Sequence, residues 1–426
     1  MLSTPAEMDN PTTQAIVQAM DMQDLVIVGG GLNGPALALA AAQAGLRVTI
    51  VDRLPAAARA DAGFDGRSYA LALSSKRLLG AIGIWKDVAA QAQPISKVIA
   101  SDGRPGEGAS PLLLDLDAAE VEEGPFGYML EDRFLRPALL TALAADVRIT
   151  QLAEADVIGQ SVESGHARVH LANGDSITAS LIVGADGRRS GTAERAGIGR
   201  MGWEYGQTAL VCAVNHARPH EGIAHQFFMP AGPLAILPLP GNRASIVWSE
   251  RTAKAEELAK GDDAAFLLAL RPAFGDFLGE ISLAGARWSY PLNLTMAKST
   301  VAGRVALIGD AAQGVHPIAG QGLNQGLRDV GTLAQVLADA RRRGEDIGSP
   351  LVLERYRAWR SFDRAALALA TDTFNRLFSN DNPLLRLGRD LGMAAVTAAP
   401  GLRRRFMREA AGLTGDVPRL LQGQPA

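Results

Sequence analysis

Apolar residues recur along this chain at several distinct spacings, and each spacing predicts an element. Leu25–Val28 and Val48–Val51 are short apolar runs. Such runs read as strands buried on both faces, a parallel pair. The alanine-rich stretch between them opens on Gly34-Pro35 and predicts a helix, since proline fits a first turn that needs no N–H from it. Residues 95–116 read as a hairpin, with Asp102-Gly103 as part of the turn. Leu135, Leu139, Leu140 and Leu143 form one stripe and predict a helix over 132–145. The strands "HARVHL" and "SITASLIVGAD" join through Asn173-Gly174, a hairpin turn signal. Residues 203–250 are short apolar runs separated by turns, a mostly β segment, and 303–312 hold one more buried strand. From about Leu323 the period becomes helical, with Leu327, Val330, Ala334 and Leu337 on the buried face. Arg341–Arg343 and Gly344 close that helix, as dipole and capping rules favour. The remainder reads as helical.

A length of 426 residues suggests two or three domains. With 47% hydrophobic and 20% charged residues a packed core is expected. The net charge of −3 gives no general attraction to nucleic acid. Cys212 is the single cysteine, so no disulfide forms within the chain and a reducing compartment is expected. No apolar run reaches the roughly 18–20 residues of a membrane span. Residues 1–22 carry acids and no basic side chain, unlike a secretory signal, and read as a loose extension. The expected location is cytoplasmic.

Two glycine clusters carry the chemistry. Gly29, Gly31 and Gly34 form G-x-G-x-x-G between a strand and a helix, around Leu32 and Asn33. That pattern serves a tight turn, close approach to a pyrophosphate, and close helix–strand packing. The helix N-terminus then faces the phosphates. Asp52, followed by Arg53, ends the next strand, where a carboxylate accepts hydrogen bonds from an adenosine ribose. This fingerprint alone fits NAD, NADP or FAD. Two further strands end in Asp186-Gly187-Arg188 and in Gly309-Asp310. A carboxylate at the latter end suits the hydroxyls of a ribityl chain, which a nicotinamide nucleotide lacks, so FAD fits better. Gly320 and Gly322 then bare the N-terminus of the next helix, where backbone N–H groups stabilise negative charge on a reduced flavin ring.

The set "GGGLNG", "VD", "GADGRRS" and "GDAAQGVHPIAGQGLNQGLRD" resembles the class A FAD-dependent aromatic hydroxylases, the p-hydroxybenzoate hydroxylase type. The run from His316-Pro317 to Asp329, with "DGRSYALALS", "YMLEDRFLRPAL" and "FMPAGPLAILPLP", is similar to the ubiquinone-biosynthesis hydroxylase subfamily. The resemblance spans roughly residues 24–400. It implies an α/β fold: a Rossmann-like FAD-binding domain, an inserted β-sheet substrate domain and a C-terminal helical region. The corresponding boundaries are 23–94, 125–201 and 291–345 for the FAD-binding domain, 95–124 and 202–290 for the substrate domain, and 346–426 for the helices. It also implies site roles. Arg67 and Arg133 meet the ribose and phosphate region, Asp310 the ribityl chain, and Gly322, Leu323 and Asn324 the pyrimidine edge. Pro317 stands beside the flavin C4a position, and Gly187 with Arg188 belongs to the motif linked to FAD and pyridine nucleotide. Asp52 replaces the glutamate often seen. The implied reaction uses NAD(P)H as a transient co-substrate. O2 adds at the flavin C4a position and one oxygen passes to a (polyprenyl) phenol ring in ubiquinone biosynthesis. Alternatives are a flavin oxidoreductase on another prenylated or phenolic substrate, and an idle flavoprotein acting as scaffold or redox sensor.

His316 is also a candidate acid–base residue. Tyr205, Gln207, Gln226, Phe228 and Trp248 fall on the inserted sheet as candidate substrate residues. His216, His220 and His225 lie close in sequence, but Pro219 interrupts them and no acid or cysteine cluster supports a metal, so none is expected. Between 376 and 419 there are eight arginines and four acids, with Leu402 and Phe406 at helical spacing. This segment reads either as a solvated face packing on the main domain or as a docking face, for lipid at the inner membrane or for a biosynthetic protein assembly.

Overall fold

The computed structural model describes residues 22–59, 63, 65–106, 108–110, 112–121, 123–314, 321–378 and 392–426. In chain order the elements that build the site begin with β1 (Gln23–Val28), α1 (Asn33–Gln43), β2 (Val48–Val51) and β3 (Ser68–Ala72). Next come β4 (Lys97–Arg104), β5 (Gly127–Glu131), α2 (Asp132–Ala145), β6 (Ile149–Leu152) and β7 (Ser176–Gly184). A long β segment follows: β8 (Arg200–His216), β9 (Ile223–Met229), β10 (Gly232–Leu239), β11 (Arg243–Arg251) and, after α3 (Asp263–Phe274), β12 (Trp288–Ala297). The chain then returns through β13 (Val305–Leu307) to α4 (Gln321–Arg342), α5 (Pro350–Phe378) and α6 (Pro400–Ala410).

The first sheet runs β6-β2-β1-β7 in parallel, with β13 parallel to β7. The central strands β1 and β2 are almost wholly buried, because helices cover one face and a hairpin layer the other. Every residue of α1 from Gly34 to Ala42 is buried. Five alanines keep that helix thin enough to lie between the sheet and α4, where it meets Leu327, Val330 and Leu337. The strand registers matter for function. Val28 pairs with Val51 and with Gly184, and Gly184 pairs with Leu307. Four strands therefore end at one level, so the loops after 28, 51, 184 and 307 leave from the same rim. In open parallel sheets that rim is where ligands bind.

The second sheet contains β12-β8-β11-β10-β9-β4 in that order, antiparallel except for the β9–β4 pair. Helices at Thr252–Lys260 and Asp263–Phe274 cover one face through Leu210, Cys212, Ile246, Phe266 and Phe274. The opposite face receives β3 and β5 at one end, where Ile95 and Met129 meet Ala213, Ala224 and Leu239.

Three expectations change. Asp102-Gly103 is not a turn: Asp102 lies inside β4, paired with Phe228, and the chain reverses at Pro105-Gly106, where Gly106 takes φ +85°. The parallel pairing of β4 with β9 extends the strand past the sequence signal. The boundary at 290 cuts the continuous strand β12. Gln313–Gly314, assigned to the FAD-binding segment, adds a short edge strand beside β12. The helix over 132–145, the Asn173-Gly174 turn and the helix ending at Arg342 stand as read.

Candidate active site

The motif glycines divide into two kinds. A Cβ on Gly29 would overlap the Ala185 carbonyl oxygen, and one on Gly34 the Gly29 carbonyl oxygen. These two are required by the protein's own close packing. Gly31, Gly187 and Gly322 are different, since a Cβ on any of them meets no atom of the described residues within 4 Å. Each of the three motifs thus presents one glycine whose bare backbone borders open space.

Side chains bring the motifs together. The Asn33 carboxamide, at the start of α1, fills the space over both Gly309 and Gly326. Arg188 Nε donates to Asp310 Oδ2 at 3.1 Å, joining the second motif to the third. Asp310 is 39% exposed, which leaves its carboxylate accessible to a hydroxyl ligand. Asp52 accepts from the Gly30 N–H at 2.5 Å and the Leu54 N–H at 2.7 Å, fixed at the end of β2. Arg53 beside it is exposed. A donor-rich glycine turn, a fixed carboxylate at one end and a second carboxylate across the rim fit an extended dinucleotide.

Other sequence candidates take up roles within the protein. Both oxygens of Asp186 are engaged, by Ser190 Oγ at 2.5 Å and by the Thr192 N–H and Oγ1 at 3.0 and 2.9 Å. Asp186 braces the start of the short helix Gly191–Arg195, whose N-cap is Ser190, and its carboxylate is engaged within the protein. The Asn324 carboxamide accepts from Ala72 N–H and Ser75 Oγ and donates to the Ala70 carbonyl, at 2.7–2.8 Å. It ties α4 to β3. Arg67 is held by Asp65 at 2.6 Å and Asp132 at 3.5 Å, and Arg133 by buried Glu131 at 2.6 Å. Leu32 and Leu323 pack on the apolar core beneath the turns. His316, Pro317 and Gly320 lie outside the described residues.

Sequence reading missed the support behind the third motif. Asp329 and Arg360 are fully buried, and Arg360 Nε donates to Asp329 Oδ1 at 2.7 Å. Asp329 Oδ2 accepts the Gly309 N–H at 2.9 Å, and Tyr356 donates to the Leu307 carbonyl at 2.8 Å. Arg200 and Arg364 donate to the carbonyls of Ala311 and Ala312, at 2.8 and 2.7 Å. Although burial works against its charge, Asp329 and Asp363 hold the Arg360 guanidinium above its ordinary pKa. Burial lowers the pKa of Arg364. The signal was present in α5, where Val352, Tyr356 and Arg360 recur every four residues on one stripe.

The substrate residues also divide. Trp248 lies on the helix-covered face of the second sheet, 6.1 Å from the Phe266 ring, and is 5% exposed. It is core, correcting the substrate assignment, because strand alternation points it away from the uncovered face. Phe228 is buried against Ala100 and Met393. Gln207 is buried and donates to the Ala231 carbonyl at 2.7 Å. Tyr205 is half-buried beside Leu294, and Gln226 is half-buried opposite Ala235. The uncovered face carries two aromatics that the sequence reading did not select. Trp288 pairs with Val211, and Tyr290 with Ala209; they are 39% and 42% exposed. Burial raises the Tyr290 pKa, so its hydroxyl stays protonated at neutral pH. The alternation Trp-Ser-Tyr at 288–290 was the available signal.

Comparison with known proteins follows from this geometry. The family described as "FAD binding domain" matches residues 22–367. The chain is 45% identical over 405 residues to "Ubiquinone hydroxylase UbiL" of Rhodospirillum rubrum, covering 94% of this chain and 93% of that one. It is 35% identical to "3-demethoxyubiquinol 3-hydroxylase" of Escherichia coli, covering 92% and 98%. Among solved structures, p-nitrophenol 4-monooxygenase PnpA from Pseudomonas putida superposes with a TM-score of 0.77 at 19% identity, covering 93% and 99%.

Proposed function

From its place in the FAD-binding family of ubiquinone hydroxylases, to which this chain belongs, we propose that it hydroxylates the ring of a prenylated phenol in ubiquinone biosynthesis, with FAD, NAD(P)H and O2. One observation carries the reading. Three open glycine turns and the Arg188–Asp310 pair mark a dinucleotide cradle on the rim of one sheet, while the second sheet leaves an apolar face with Trp288 and Tyr290 uncovered.

FAD, when bound, supplies the reduction of O2 that ring hydroxylation needs. The chain positions and shields. Asp52 accepts ribose hydroxyls and Asp310 accepts from the ribityl chain. The N-terminus of α4, bare at Gly322, directs partial positive charge at the ring edge. Val211, Val247, Trp288 and Tyr290 exclude water from the substrate side. The Tyr290 hydroxyl, kept protonated, donates to the phenol oxygen of the substrate. The experiment is NAD(P)H oxidation by the FAD-loaded protein with a short-chain prenylphenol, alongside mass spectrometry of the product. Phenol-stimulated oxidation with a mass gain of one oxygen is expected. Flavin reduction indifferent to the phenol, with no hydroxylated product, contradicts the reading.

A prenyl tail resides in a bilayer, and α6 offers a docking face. Met407 is fully buried against Leu116, Ala118 and Phe126. Arg403 and Arg408 pair with Glu120 and Glu123 at 2.7 Å. Leu402 and Phe406 point outward, 44% and 46% exposed, with Arg404 and Arg405 exposed beside them. Among the described residues no helix is long and apolar enough to cross a membrane. Attachment is therefore proposed to be peripheral, each arginine near an anionic surface contributing about 1 kcal/mol. Arg404→Glu/Arg405→Glu is expected to lose co-sedimentation with anionic liposomes, and salt is expected to weaken it in the parent protein. Equal sedimentation of both proteins removes lipid from the reading and leaves a protein assembly as the partner.

A further inference from the structure

We propose that Arg59 is a cofactor-binding residue, whose guanidinium takes phosphate oxygens of the adenosyl half of FAD. This rests on the reading of the glycine turn as an FAD site. Arg59 ends a short helix, Ala56–Arg59, that follows Asp52. Its side chain folds back over the turn. A Cβ built on Gly30 would overlap Arg59 Nη1 and would lie 3.0 Å from Asp52 Oδ2. The guanidinium therefore lies directly against the backbone of the turn, beside the proposed ribose carboxylate.

Its environment is unusual for an arginine. Arg59 is 4% exposed, and among the described residues neither its Nε nor its Nη1 has a hydrogen-bond partner. Arginine does not shed its proton in proteins, so burial cannot be relieved by neutralisation. A desolvated cation without a partner is costly, and such groups are found paired with an anion. The neighbouring acid does not serve. Asp52 faces the N–H groups of Gly30 and Leu54, and its oxygens pair with neither Nε nor Nη1 of Arg59. Of the other arginines expected near the cofactor, Arg67 is neutralised by Asp65 and Asp132, Arg133 by Glu131 and Arg188 by Asp310, and Arg53 is exposed to solvent. Among the described residues Arg59 is the buried guanidinium at this turn with donors to spare.

The chemistry of the missing partner follows from the surroundings. The N-terminus of α1, eleven residues long, opens at the same turn and favours an anion. A planar fork of N–H donors matches phosphate oxygens two at a time. Asp52 and Arg59 side by side then divide one nucleotide between them, the carboxylate accepting from hydroxyls and the guanidinium donating to phosphate. An adenosine phosphate satisfies both groups; an adenosine without phosphate satisfies only Asp52.

The test uses the full-length apoprotein. FAD binding is followed by flavin fluorescence, and ADP and adenosine are used as competitors. Circular dichroism and thermal melting verify the fold of each variant. Arg59→Gln is expected to weaken FAD at least about tenfold, as for loss of a charge-assisted hydrogen bond. Arg59→Lys, which keeps the charge without the fork, is expected to fall between. Competition by ADP should weaken in parallel, while adenosine competes as well as against the parent protein. Unchanged or tighter FAD binding by a folded Arg59→Gln overturns the assignment, tighter binding meaning that Arg59 merely occupies the nucleotide's space. Equal loss for ADP and adenosine also overturns it, showing a general collapse of the turn. A parent protein that takes up no FAD overturns the reading of the site itself.

Discussion

Arg360→Met is expected to destabilise the apoprotein by about 3–5 kcal/mol, the loss typical of removing one partner from a buried ion pair. Arg360 and Asp329 are both fully buried, and Arg360 also bonds Asp363 and Gln325 at 2.9 Å each. Without the guanidinium, buried Asp329 loses its ion-pair partner, which its bond to the Gly309 N–H does not replace. Urea denaturation of parent and variant measures the loss. The double variant Asp329→Leu/Arg360→Met is expected to recover most of the stability, because replacing both members with apolar groups is often neutral. It is not expected to recover FAD affinity, since Gly309 loses the acceptor that sets the Asp310 turn. Recovery of both together would mean that the pair only stabilises and does not position the third motif.

Gly326→Ala is expected to cost about 1–3 kcal/mol by overpacking, and to weaken FAD as well. A methyl at 326 overlaps the Asn33 carboxamide, which lies between Gly326 and Gly309 and cannot retreat toward either without a clash. The strain therefore passes to the packing of α1 on α4, and these helices carry the two glycine turns. Asn33→Ala frees the space, so Asn33→Ala/Gly326→Ala is expected to regain stability relative to Gly326→Ala. The coupling between the two positions should be about 0.5–3 kcal/mol, the range for residues in contact. Denaturation of the four proteins of the cycle gives this number directly, and strict additivity would show that Asn33 yields freely.

Much of the fold was legible because its signals are local. The runs Leu25–Val28 and Val48–Val51, the proline after Gly34, the Asn173-Gly174 turn and the stripe from Leu327 to Leu337 each specify their element through neighbours in sequence. The glycine fingerprint with Asp52 was legible for the same reason, since strand, turn and helix lie within thirty residues. The misread Asp102-Gly103 turn shows the limit: a parallel partner more than a hundred residues away holds that dipeptide in a strand.

What depends on distant partners was not legible. The sequence marked Asp186 and Asn324 by motif, but their side chains are spent on Thr192 and on Ala72 and Ser75. It marked Trp248 as aromatic on a strand, but only the covering helices decide which face of that strand is core. That Trp288 and Tyr290 are uncovered, that Asp329 and Arg360 are paired, and that Arg59 is buried without a hydrogen-bond partner at Nε or Nη1 among the described residues is decided in three dimensions. By itself the sequence determined the parallel sheet, the two glycine turns and the acids that follow their strands, because those rest on backbone conformation and short-range periodicity. The tertiary structure decided which charges are neutralised and which remain for a ligand, because burial and pairing depend on groups brought together from across the chain.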